Sequence, residues 1–206
     1  MKILSYLASF LLAGSSFGEV VIQDQYALDA PGGAATDLGG GVFGFEIDVT
    51  ADFSAAGHGK LVLTYGGHGG GTGTNPNVSS VTYDGVPLTQ AVQDPDNGGL
   101  VTAGIFYLDN VASDGLLRIE TTGTTVRYGF GLFALDGLRV GVQDTGSAQS
   151  NAQVTNGDHN VTISTSEGFF VQELARNNQS VAEDTGDTYL TNYNLSADGY
   201  RGFSQY

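Results

Sequence analysis

The sequence predicts an all-β protein built as an antiparallel two-sheet sandwich, and three observations carry that prediction. Short runs rich in Val, Ile, Phe, Tyr and Thr recur about every 10 residues with turn residues between them. Several runs alternate apolar and polar side chains with the period of two that a half-buried strand requires. No stretch places apolar residues at helical spacing among good helix formers. Glycine, at 32 residues, clusters in Gly39–Gly41 and in Gly66–Gly73, where it punctuates the apolar runs.

The elements follow in order. In Val42–Val49, Phe43, Phe45, Ile47 and Val49 share one face while Glu46 and Asp48 share the other. Lys60–Tyr65 puts Leu61, Leu63 and Tyr65 together. Val78–Tyr83 and Val86–Val92 flank Asp84-Gly85, a dipeptide that favours a two-residue hairpin because a type I′ turn needs positive φ twice. Pro87 has no N–H to donate and so belongs at a sheet edge or bulge. Val101–Leu108 reads as a strand buried on both faces. Leu116–Thr121 alternates Leu117 and Ile119 against Arg118 and Glu120. Tyr128–Leu135 sets Tyr128, Phe130 and Leu132 on one side and Phe133 and Leu135 on the other, the pattern of a central strand. Val161–Ser164, Gly168–Leu174, Tyr189–Leu195 and Tyr200–Tyr206 are the later candidates, beyond a polar loop at residues 143–159. Neither side of that loop holds enough strands for a two-sheet core by this reading, so residues 19–206 are expected to form one β-sandwich domain.

Residues 1–18 differ from the rest. Lys2 precedes an apolar run from Ile3 to Ala13, and the small residues Ser16 and Gly18 suit cleavage before Glu19. This is the layout of a secretory signal peptide, and the apolar run is shorter than the roughly 20 residues of a membrane span. No integral membrane segment is expected in the mature chain. Cleavage removes Lys2 and no acidic residue, which takes the formal charge from −15 to −16. A surface of that sign repels phosphate backbones, which excludes nucleic acid as a natural partner, and it repels anionic lipid headgroups. The chain has no cysteine. Thiolate catalysis, zinc–cysteine sites and iron–sulfur clusters are therefore excluded, and a chain of 206 residues buries enough surface to fold without disulfides.

Hydrolytic chemistry has no recognisable signature. His58, His68 and His159 lie in Gly-rich or polar stretches, and neither Gly-x-Ser-x-Gly nor His-Glu-x-x-His occurs. Carboxylates abound but no pair stands apart from the acidic background, so no catalytic residue is assigned and the chain is not expected to be an enzyme. No cofactor is expected beyond calcium. Asp94, Asp96 and Asn97 offer clustered oxygen ligands in a glycine-bounded loop, and Asp184 and Asp187 form a second acidic loop. The same residues are also what turns are ordinarily made of. Tyr65, Tyr83, Tyr107 and Tyr128 are the candidate platforms for stacking a sugar, against the plainer reading of strand tyrosines that pack at the rim of the core.

The run Lys60-Leu61-Val62-Leu63-Thr64, the hairpin from Val78 through Asp84-Gly85 to Val92, and the strand Ala103–Asn110 together resemble a group of secreted bacterial β-sandwich proteins that often carry an exosortase (PEP-CTERM) sorting tail. The resemblance spans about residues 40–140 and rests on a packing motif. It implies export, a jelly-roll-like arrangement and a place at the cell surface or in the extracellular matrix. The tail of that group, Pro-Glu-Pro with an apolar helix and terminal arginines, is not found before Tyr206, where the chain stops within a strand-like run. The expectation is a C-terminally truncated domain or a member without an anchor. Function is expected to be structural or adhesive and non-catalytic, with carbohydrate binding as the alternative and a polysaccharide hydrolase as the third. The expected partners are extracellular polysaccharide or further copies of the chain, the latter through an open sheet edge.

Overall fold

The computed structural model describes residues 21–28, 34–40, 42–69, 77–95, 101–123, 125, 127–137, 172–173, 189–193 and 202–205. The signal-peptide segment, the 143–159 loop, Val140–Val142 and Val161–Ser164 lie outside the described residues. Among the described residues every regular element is a strand.

Two five-stranded sheets face each other. The first takes the order β1 (Val21–Ala27), β10 (Arg127–Asp136), β4 (Lys60–His68), β8 (Val101–Asp109) and β7 (Thr89–Pro95). The second takes the order β2 (Thr36–Asp37), β3 (Phe43–Asp48), β9 (Leu116–Thr121), β5 (Val78–Tyr83) and β6 (Val86–Pro87). Every pairing is antiparallel. The series β1, β3, β4, β5, β6, β8, β9 and β10 crosses between the sheets at every step except the β5–β6 hairpin and gives β1-β10-β4-β8 facing β3-β9-β5-β6. That is the double Greek key of an eight-stranded jelly roll, with β7 added at one edge and β2 at another.

Alternation decides which side chains go inside. Leu61, Leu63 and Tyr65 of β4, Phe106 of β8, and Tyr128, Phe130, Leu132 and Ala134 of β10 meet Phe45, Val81, Tyr83, Leu117 and Ile119 of the opposite sheet. Ring contacts lock this interior: Phe45 lies 3.6 Å from Tyr128 between centroids, and Phe53 meets Tyr83 edge-on at 6.4 Å. The outer face of the second sheet is polar, and Arg118 bridges Glu46 at 2.7 Å and Glu120 at 2.8 Å across it. The outer face of the first sheet is apolar instead, with Val62, Phe133 and Leu135 buried beside Ile22, Ile105 and Tyr107. A third, three-stranded sheet of β11 (Gln172–Glu173), β13 (Gly202–Gln205) and β12 (Tyr189–Tyr193) covers it, with β11 against β4 and β8 and the other two against β10.

Three expectations need correction. Residues 21–136 supply all ten strands of both main sheets, so that part of the chain closes a two-sheet core and the later strands add a layer. The segment Val86–Val92 is two strands, because Pro87 ends β6 at the sheet edge and the chain turns at Leu88 into the opposite sheet as β7. In β8 the inner positions Thr102, Gly104 and Phe106 are buried, while Ala103, Ile105 and Tyr107 are half-buried. The Asp84-Gly85 hairpin has the expected geometry, with φ of 49° and 75°.

Gly44 pairs with Glu120 at a point where a Cβ would stand 2.1 Å from the Ile119 carbonyl oxygen. Gly44→Ala forces β3 away from β9 and is expected to destabilise the protein by about 1–3 kcal/mol. A lowered urea midpoint measures it, and an unchanged midpoint refutes the packing described.

Candidate functional site

The ends of the sandwich differ in chemistry. At one pole the start of β4, the ends of β5, β8 and β10, and the loops 49–59 and 110–115 gather a set of aspartates. Asp114 is the centre. Its Oδ1 accepts from the backbone N–H of Ala55 at 2.6 Å and of Ala56 at 2.9 Å, and from the Tyr83 hydroxyl at 3.1 Å. Its Oδ2 accepts from the Ser54 hydroxyl at 2.7 Å. Asp24 of β1 takes the Ser54 N–H at 2.8 Å, so the 49–57 loop is tied from two sides. Asp84 in the hairpin turn accepts from the Ser113 hydroxyl.

These bonds set the electrostatics. Burial pushes the Asp114 carboxyl up, but the Ser54 hydroxyl, the two backbone N–H groups and Tyr83 outweigh it and hold the group below its ordinary value of 3.8. Burial, with the Asp114 charge second, pushes Tyr83 well above the usual phenol range. At the end of β10, Asp136 Oδ1 accepts from Gly59 N–H at 2.8 Å and Oδ2 lies 3.0 Å from His58 Nδ1. The Gly59 N–H and then His58 lower the Asp136 carboxyl.

An imidazole paired to a carboxylate supplies two parts of a hydrolytic triad. Among the described residues no hydroxyl bonds His58, and Ser54 is directed to Asp114. At the same pole Lys60 forms an ion pair with Asp109, the residue directly opposite it on β8. The Lys60 ammonium also lies 4.5 Å above the centre of the Tyr107 ring.

The opposite pole holds the ends of β4 and the starts of β8 and β10. His68 is buried there, in register with Arg127 and Val101, and Thr102 and Thr125 are buried near it. The Tyr65 hydroxyl points to this end and lies so close to Gly67 that a Cβ there would meet it at 2.5 Å. Burial, only partly offset by Thr125, pushes the Tyr65 phenol far above its ordinary range.

The structure separates the residues singled out as sites. Tyr65 and Tyr83 are sealed in the core and Tyr128 is nearly so. As platforms for a sugar they are corrected to core packing, because a ring enclosed on both faces has none to offer a ligand. Tyr107 alone of the four is half-buried, on the outer face of the first sheet beside Lys60. Asp94 pairs through its backbone with Ala103 at the end of β7. The Asp94 side chain, Asp96, Asn97, Asp184, Asp187 and His159 lie outside the described residues. Among the described residues no group of three or more metal-binding side chains comes together. Sequence reading missed Asp114, Asp136 and the Lys60–Asp109 pair, because their partners stand 31 to 78 residues away and no local motif connects them.

The fold and its poles place the chain in the class of antiparallel jelly-roll sandwiches. Compared with known proteins, it matches no family model, no curated protein and no solved structure.

Asp114→Ala leaves the Ala55 and Ala56 N–H groups without an acceptor and is expected to cost about 1–2 kcal/mol, with Asp114→Asn losing less. Chemical denaturation of the variants measures the difference, and equal stability of all three proteins contradicts the role. Asp48, Asp114 and Asp136 each ionise more readily folded than unfolded. Their contribution is complete above the ordinary carboxylate value and is lost as pH falls through the lower folded values. Stability is therefore expected to fall between about pH 4 and pH 2. A melting temperature that holds constant across that window argues against it.

Proposed function

We propose that this chain is an exported, non-catalytic structural or adhesive protein that works at the cell surface or in a secreted matrix. One observation carries the reading: the best-placed carboxylates act on the fold itself. Asp114 and Asp24 bind the 49–57 loop, and Asp136 binds His58 and Gly59. A pole fastened this way suits a rigid scaffold, which must hold its shape without access to a chaperoned cytoplasm. The signal-peptide layout of residues 1–18, the acidic balance and the resemblance to exosortase-sorted sandwich proteins support the same reading.

Two measurements test it. Expressed from Met1 in a bacterium, the protein is expected outside the cytoplasm with Glu19 as its first residue, and cytoplasmic protein that retains Met1 overturns export. Incubated with extracellular polysaccharide, it is expected to sediment with the polymer and leave the polymer's length unchanged. Chain cleavage that one carboxylate substitution abolishes makes the protein a hydrolase. Saturable binding to one defined glycan, lost in Tyr107→Ala, makes it a carbohydrate-binding module.

A further inference from the structure

Lys60 and Asp109 stand in a setting unlike that of a surface ion pair. They face each other across β4 and β8 in register, on the same side of the sheet. Their side chains are 5% and 17% exposed, so both charges are largely withdrawn from water. Leu135 is directly opposite Lys60 on β10, and Val62, Phe133, Ile105 and Tyr107 line the same apolar face. The Lys60 ammonium lies 4.5 Å over the centre of the Tyr107 ring and donates to the Asp109 carboxylate.

We propose that Lys60 and Asp109 are joined by an intramolecular amide bond formed in the folded protein. A proton passing from the Lys60 ammonium to the Asp109 carboxylate gives an amine beside a carboxylic acid. The Nζ lone pair then adds to Cγ of Asp109 and the Nζ–Cγ bond forms. One Cγ–Oδ bond breaks, and that oxygen leaves as water with two protons from the original ammonium. Nothing is oxidised or reduced and no co-reactant is needed.

Two physical terms favour the step. Fixing both groups in contact on paired strands replaces a bimolecular encounter with an intramolecular one, for which effective molarities reach about 10⁵ M and above. The product is neutral, so the cost of holding two desolvated charges disappears. The 17% exposure of Asp109 leaves an outlet for the departing water. In a chain without cysteine the bond does the work of a disulfide, closing residues 60 to 109 into a covalent loop.

The test is intact mass spectrometry of the purified, denatured full chain or its secreted form. The expected mass is one water below the value calculated for that form. Trypsin is expected to spare Lys60 and release a branched peptide that joins the Lys60 segment to the Asp109 segment. Lys60→Arg keeps the charge and removes the nucleophile, and is expected to restore the full mass. Asp109→Asn is expected to form the same bond with loss of ammonia. A wild-type mass equal to the calculated one overturns the proposal. So does a water loss that persists in Lys60→Arg or maps to Asp84-Gly85, Asp114-Gly115 or Asp136-Gly137, where aspartate cyclises on its own backbone. The outcome is independent of the role proposed for the whole protein.

Discussion

The sandwich depends on keeping water from the inner face of β4. Leu61, Leu63 and Tyr65 are fully buried, and they sit between β10 and β8 while facing Leu117 and Ile119 of the other sheet. Each apolar side chain of this size gains about 1.5–3 kcal/mol on leaving water. The rest of the architecture follows from satisfying that strip. A strand buried on both faces needs neighbours on both edges, and β10 and β8 supply them along the whole of β4. It also needs a lid on each face, which the second sheet provides inside and the C-terminal strands provide outside.

Around this apolar centre the polar groups are sorted to the poles. A jelly roll pushes its connections to two ends, and each crossing leaves backbone N–H groups that no strand can accept. Aspartate answers this at one end: Asp24, Asp114 and Asp136 all accept from backbone N–H groups of the connection between β3 and β4. The strongly acidic composition, which reads from a distance as a solvated surface, is thus in part structural. The second sheet handles its own exposure differently. Its outermost strands are only two residues long, and Pro87 lies in one of them, so little unpaired backbone is offered to a neighbouring molecule.

Much of this was legible in the residues. Period-two alternation located β3, β4, β9 and β10, and the facing of Tyr128, Phe130 and Leu132 against Phe133 and Leu135 matches the two apolar clusters. Asp84-Gly85 announced its own turn. The sheet switch after Pro87 was less visible, because Val86 to Val92 keeps a β-like composition through the corner at Leu88. The polar sites were not legible. Asp114 sits in an ordinary Ser-Asp-Gly stretch, and its meaning comes from Ala55 and Ala56, brought to it by the crossover of β3 and β4 between sheets. Three of the four tyrosines failed as sugar platforms for a related reason. Strand alternation tells which residues share a face but not which face is inside, and Tyr65, Tyr83 and Tyr128 fall on the inner one.

The apolar outer face of the first sheet sets a limit on how the molecule can be shortened. Residues 21–136 contain every strand of both main sheets, so they look like a sufficient unit. Yet Val62, Phe133 and Leu135 are buried on the side away from the core, beneath the last three strands. A protein cut after β10 would keep its architecture and bare a greasy stripe flanked by Ile22, Ile105 and Tyr107. The C-terminal strands thus serve as a jacket, separating a jelly roll that stays dispersed from one that clumps with its neighbours.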